Sequence, residues 1–417
     1  VKLPRMVPIR IRKECPKLTD VGGAVASALD AVRVEGLVKP GERIAVTAGS
    51  RGIYHIDVIL KTVIDRLKSC GAVPFIVPAM GSHAGATAEG QKDFIAGYDI
   101  TEARMGCPIL SSMDAVELGR SPLGVVTYCD RNAYEADGIV VVNRVKPHTG
   151  FAGTLGSGLL KMLAIGLGKR RGAESVHQSG VDLGYEEAIR DAGLFILSKI
   201  PIRFGVAIVE NQRGETADVE AVPPAAFEAA DERLLERARD LMGRLPVDFL
   251  HLLIVDWMGK NLSGTGMDPN VIGRGMTLAR RRITEPRIIR IFVRDLTDET
   301  HGNAIGIGFA DFATDRLVEK IDPVSTWINC CASVAPEQAH VPIHYASDRE
   351  AIEMALQTAG ATPTDRMRVI RIRDTEHIDT MLVSESVFEE LKDRDDIEAL
   401  DKPREMIFDD EGNLTNV

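Results

Sequence analysis

The chain has 417 residues, 45% of them apolar and 27% charged, so it can bury a core sized for two or three domains, and wholesale disorder is excluded. Its 50 Lys and Arg against 61 Asp and Glu leave a net charge of −11, which excludes a general nucleic-acid binder but leaves room for a local basic pocket around a small anion. Six cysteines without a C-x-x-C pair, a charged N-terminus lacking an apolar signal core, and no apolar run near the ~20 residues of a membrane span predict a soluble cytoplasmic protein without disulfides, structural zinc or a membrane partner.

The first half alternates strand and helix patterns. Pro40-Gly41-Glu42 precedes an apolar strand, Ile44 to Val46, and the loop Thr47-Ala48-Gly49-Ser50-Arg51-Gly52 follows. A helix is predicted from His55 to Lys68, because Ile56, Ile59, Leu60, Val63, Ile64 and Leu67 keep a helical period, and Gly71 ends it. A second strand, Val73 to Val77, leads into the loop Ala79-Met80-Gly81-Ser82-His83-Ala84-Gly85 and a helix from Thr87 to Ala96. This repeated strand, glycine-rich loop and helix reads as a Rossmann-like, mostly parallel α/β sheet. Ligands in such sheets sit beyond the carboxyl ends of the strands, where both loops fall.

A third strand, Ile139 to Val142, ends in Asn143-Arg144-Val145-Lys146-Pro147-His148. A glycine-rich connection then leads to an apolar helix around Lys161, a basic turn Lys169-Arg170-Arg171, and His177. Arg203 to Val222 reads as a hairpin and Ala225 to Gly243 as a charged amphipathic helix. Pro246 marks a linker, dividing a 1–245 domain from a smaller 246–417 α/β domain. The latter pattern runs strand Leu252 to Val255, loop Asp256 to Asp268, strand Ile288 to Val293, helices around Phe312 to Ile321 and Asp348 to Thr358, and strand Met367 to Ile372. A helix and a polar end follow Glu385.

Lys161 is flanked by Leu159, Leu160, Met162, Leu163, Ile165 and Leu167. A lysine in so apolar a helix must pair with an anion, bond covalently, lose its proton, or snorkel to the surface. Of nine histidines, His83, His148 and His177 fall at strand or helix ends of the first domain. Each alone reads as a polar loop residue; together, at the expected ligand edge of one sheet, they are candidates for a functional role. Arg51, among small residues after the first strand, suits a carboxylate or phosphate, or is a surface arginine. Lys260 lies in a glycine- and hydroxyl-rich loop suited to close ligand approach, although no Walker A motif and no complete G-x-G-x-x-G after a strand is present.

The ordered set Arg51, His83, His148, Lys161 and His177 resembles the family of nickel-pincer-nucleotide-dependent lactate racemases and related 2-hydroxyacid racemases and epimerases. The resemblance is strongest from Ala45 to His177 and looser from Asp256 onward. The Lys161–His177 interval equals the family's, and the Arg51–His83 and His83–His148 intervals nearly do. The resemblance implies an isomerase whose active site lies in a cleft between the 1–245 cofactor-binding, catalytic domain and the 246–417 domain. Lys161 would carry the cofactor covalently, a nickel pyridinium-3-thioamide-5-thiocarboxylic acid mononucleotide, and His177 would be the protein ligand of its nickel. His83 and His148 would be the paired acid–base groups, with Arg51 and Lys260 binding substrate. Expected partners are a small 2-hydroxy acid, the cofactor-biosynthesis enzymes during loading, and a second copy in a homo-oligomer.

The sequence departs from the lactate enzyme at three places. The His148–Lys161 interval is longer, with the extra residues within Thr154 to Gly158. The first loop reads Gly-Ser-Arg-Gly rather than Thr-Arg-Pro, and Ala84-Gly85 rather than Arg-Pro follows His83. These changes line the expected substrate site, so the cofactor is implied more strongly than lactate. Two other readings fit the residues: a zinc or iron hydrolase ligated by His83, His148 and His177, and a non-catalytic binder of the cofactor or of a hydroxy acid.

Overall fold

The computed structural model describes residues 1–50, 52–276, 278–280 and 282–415, so Arg51 lies outside the described residues. The chain divides into two compact units, one of residues 15–148 and 152–242, the other of residues 1–14, 149–151 and 243–417. Each is an α/β unit on a mixed, mostly parallel sheet.

The first unit has a five-stranded sheet in the order Val73–Pro78, Arg43–Ala48, Gly138–Arg144, Ile202–Glu210 and Thr216–Val222. The first three joins are parallel, and the last is the antiparallel hairpin read from the sequence. Side-chain alternation gives this sheet two cores. Ile44, Val46, Ile76, Val140 and Val142 face the helices Val21–Ala31 and Ile56–Ser69. Ala45, Phe75, Val77, Ile139 and Val141 face Leu159, Leu160, Leu163 and Leu167 together with the helix Phe227–Leu241. Burial on both faces is why these strands read as continuous apolar runs.

The helix expected around Lys161 takes a less regular form. A helical turn, Leu159–Lys161, runs into a π-helical stretch, Met162–Gly166. The helix Lys169–Leu183 follows, so the basic segment Lys169-Arg170-Arg171 is its first turn.

The second unit has eight strands in the order Ile343–Tyr345, Phe312–Thr314, Arg287–Leu296, Phe249–Met258, Val369–Ile372, Thr380–Ser384, Met6–Ile11 and Ile397–Ala399. The first five are mutually parallel and the remainder antiparallel. Where a helix was expected from Phe312, the chain first pairs Phe312 with Phe292; the Thr314 side chain then caps the helix Asp315–Glu319. Met6–Ile11 went unread in the sequence because its partners lie hundreds of residues away. None of the six cysteines is in a disulfide, and no helix among the described residues is long and apolar enough to cross a membrane.

Leu163 is fully buried beside the Lys161 turn, whereas Leu194 is 36% exposed. Leu163→Ala should lower the unfolding free energy by roughly 2–5 kcal/mol, and Leu194→Ala by about 1 kcal/mol or less, as read by urea denaturation.

Candidate active site

In the first unit the chain goes from Arg43–Ala48 to one neighbour, Val73–Pro78, and later returns to the other, Gly138–Arg144. The strand order thus reverses between Arg43–Ala48 and Gly138–Arg144, and a ligand crevice belongs at their carboxyl ends. The ladder between them pairs Ile44 with Gly138, Ala45 with Ile139 and Val46 with Val140, and stops there. The buried Thr47 hydroxyl then takes over, accepting from Val142 N–H at 2.9 Å and donating to Val142 C=O at 3.2 Å.

Three chain segments meet around this edge. The His83 loop follows Val73–Pro78, and Gly81 N–H in it donates to Gly166 C=O of the π-helical stretch at 3.2 Å. Gly81 has φ +60°, and a Cβ there would lie 3.3 Å from both Ile165 Cγ2 and the Ile165 carbonyl oxygen, so glycine permits this contact. The His148 loop follows Gly138–Arg144, and Lys146 exchanges two backbone hydrogen bonds with Ser157, at 3.1 and 2.9 Å. A Cβ on Gly156 would come 2.4 Å from the Lys146 oxygen and 3.2 Å from His148 N. The longer stretch at Thr154 to Gly158 therefore folds back onto the His148 loop. Lys161 is half-buried and donates to Ser157 Oγ at 3.2 Å. His177 is half-buried on the helix Lys169–Leu183, which packs against the π-helical stretch. His83 and His148 are half-buried too.

Buried carboxylates hold the segment that carries Lys161. Asp231 accepts from Leu159 N–H at 2.8 Å and Leu160 N–H at 2.9 Å, capping the Lys161 turn. Burial pushes its pKa up to about 6, against the lowering effect of those two amides. Glu186 accepts from Thr154 N–H at 2.9 Å, Thr154 Oγ1 at 2.8 Å and Leu155 N–H at 3.0 Å. Asn143 Nδ2 donates to Gly158 C=O at 2.6 Å.

These supporting residues escaped the sequence reading. Asp231 carried a usable signal, because it sits on the same stripe as Phe227, Leu234 and Leu235, where a carboxylate needs a buried partner. Lys169 did not, because nothing in the basic run Lys169-Arg170-Arg171 sets its first residue apart. In the structure Arg170 pairs with Glu174 at the surface and Arg171 lies over the Tyr128 ring, while Lys169 is fully buried.

Lys260 belongs to the second unit, just after Phe249–Met258. Its N–H donates to Thr300 Oγ1 at 3.2 Å and its ammonium to Asn329 Oδ1. The structure thus brings His83, His148, Lys161 and His177 into one unit and places Lys260 in the other. Among the described residues no three or more His, Cys, Asp and Glu side chains form a group able to hold a metal ion, so the three histidines do not make a common centre.

Residues 5–184 match the family model described as Lactate racemase N-terminal domain. The chain has no match among the curated proteins compared with it. Among solved structures it is similar to the lactate racemase apoprotein from Thermoanaerobacterium thermosaccharolyticum, with a TM-score of 0.52 and 14% identity over 90% of this chain and 96% of that one, a likeness of fold.

Asp231→Ala should cost about 2–4 kcal/mol by leaving two buried amides without an acceptor. Because burial raises its pKa, the folded chain holds the Asp231 proton more tightly than the unfolded chain. This group's contribution to stability therefore falls as pH rises from 3.8 to about 6 and is level above that. Asp231→Asn should remove that fall, as read by urea unfolding at a series of pH values.

Proposed function

We propose, for a chain whose residues 5–184 match the Lactate racemase N-terminal domain model, that it is an isomerase racemising or epimerising a 2-hydroxy acid, with a nickel-pincer nucleotide carried on Lys161. The observation that supports this most is the joining of the His83 loop, the His148 loop and the His177 helix to one short segment, Ser157 to Gly166, that bears Lys161.

The residues fit such a group. Lys161 offers an amine that is half-buried beside a hydroxyl, accessible enough to be acylated and apolar enough in setting to shield the bond. His177 offers a single imidazole, a nitrogen donor suited to nickel whose other ligands come from the nucleotide. When bound, the cofactor supplies an electrophilic carbon that accepts a hydride and returns it.

The chain's own task is then proton transfer and orientation. Loss of the C2 hydrogen with its electron pair requires the hydroxyl proton to leave, a step suited to a neutral imidazole nitrogen. The two enantiomers present their hydroxyls on different sides of C2, so two bases are needed. His83 takes the proton from one enantiomer and His148 from the other; in the return step the opposite imidazolium gives its proton to the keto oxygen. The two imidazoles then re-equilibrate with solvent, closing the proton balance. Arg51 is assigned the carboxylate, which holds the planar 2-keto acid in place. The altered residues around Arg51 and His83 leave the identity of the acid to be found by screening.

Purified after co-expression with cofactor-biosynthesis enzymes, the protein should hold stoichiometric nickel, and the peptide containing Lys161 should show added mass. An unmodified Lys161 with stoichiometric zinc would overturn the proposal. In the loaded protein, His83→Ala and His148→Ala should each lower turnover by about 100-fold or more while Lys161 stays modified. Full activity in either variant would remove that histidine from the mechanism.

A further inference from the structure

Lys169 is fully buried at the first position of the helix that carries His177, and the proton transfers above make no use of it. Its ammonium donates to Pro78 C=O at 2.7 Å and Gln91 Oε1 at 2.8 Å, and stands 3.5 Å from Asp130 Oδ2. Two of its hydrogens thus bond to oxygens, and Asp130 Oδ2, which takes no hydrogen bond, faces the ammonium as its ion-pair partner. Gln91, also fully buried, passes the connection on: its Nε2 donates to Gly81 C=O at 2.9 Å and to His83 C=O at 3.3 Å. Asp130 accepts from Ala133 N–H at 3.1 Å, and its own N–H donates to Leu167 C=O at 2.7 Å. One polar network therefore joins the end of Val73–Pro78, the His83 loop, the exit from the π-helical stretch and the start of the His177 helix.

The network is an expensive way to fill space. Burial disfavours the charged forms, lowering the pKa of Lys169 and raising that of Asp130, each effect opposed by the other charge. Lys169 also sits at φ +54°, a left-handed conformation unfavourable for a side chain of this kind. A leucine or methionine would occupy the volume without desolvating a charge, and such replacements of buried ion pairs are often neutral or stabilising.

We infer that Lys169 is a positioning residue: through Gln91 it pins the carbonyls on both sides of Ser82, and with them His83, to the start of the His177 helix. Its effect on turnover rests on the reading of His83 as an acid–base group; its hold on the loop does not.

Amide hydrogen exchange on the full chain without cofactor tests the hold directly. In Lys169→Met the His83 and Ala86 amides should exchange about tenfold faster or more, with the core amides of Ile76 and Val140 within about twofold of the parent. Gln91→Met should give the same pattern, and it carries the test if Lys169→Met does not fold. Gln91→Glu keeps an acceptor for Lys169 but loses the donors to the two carbonyls, so it too should loosen the loop; if Lys169 merely needed an anionic neighbour, this variant would stay tight. Unchanged exchange at His83 and Ala86 in the folded variants overturns the inference. In the loaded protein the loosened variants should lose about tenfold or more in kcat with KM little changed. Faster exchange with unaltered kcat would uphold the positioning role and remove His83 from catalysis.

Discussion

Two parallel strands that stop exchanging backbone hydrogen bonds must satisfy their last buried groups some other way, and the candidate site depends on how this chain does so. The Thr47 hydroxyl serves both the N–H and the C=O of Val142 just beyond the final backbone pair of Val46 and Val140. A fully satisfied buried hydroxyl costs little, whereas an unpaired amide there would cost as much as a lost hydrogen bond. The chain can therefore leave the sheet on both sides of the strand-order reversal. The loop leading toward Arg51 departs from one strand, and the loop leading to His148 from the other.

Irregular segments cannot be fixed by apolar packing alone, because their backbone groups need partners. Here three buried carboxylates provide them. Glu186 satisfies the stretch at Thr154 and Leu155, Asp231 caps the Lys161 turn, and Asp130 caps Arg131–Tyr134 while facing Lys169. All are drawn from helices or strand ends around the crevice, so regular elements fix the irregular ones. The cost is visible in the raised pKa of Asp231 and Asp130, where desolvation outweighs the hydrogen bonds. Geometry is what this arrangement gains, since Lys161 and the histidine loops gain fixed backbones while their side chains stay half-buried and reachable.

Much of the fold and the placement of part of the candidate site were legible in the sequence, for identifiable reasons. Strands such as Ile44 to Val46 and Ile139 to Val142 announce themselves because both faces are buried. The histidine loops could be placed because a loop after a parallel strand always falls on the ligand edge. Met6–Ile11 could not be read, because strand pairing with Thr380–Ser384 leaves no local mark. The Lys161 segment looked like a plain helix because a π-helical turn keeps nearly the same apolar run. Lys169 was misplaced for a deeper reason: whether a lysine lies inside depends on Pro78, Gln91 and Asp130, which only the folded chain assembles.

In the proposed reaction two histidines on different loops would move hydroxyl protons while the C2 hydrogen travels with its electrons and never meets solvent. A panel of C2-deuterated 2-hydroxy acids, beginning with lactate, incubated with the loaded protein in ordinary water, tests this most directly. Inverted product that keeps its deuterium at C2 is the expected result. Inverted product carrying solvent hydrogen at C2 would contradict it, because the hydrogen would then have left as a proton.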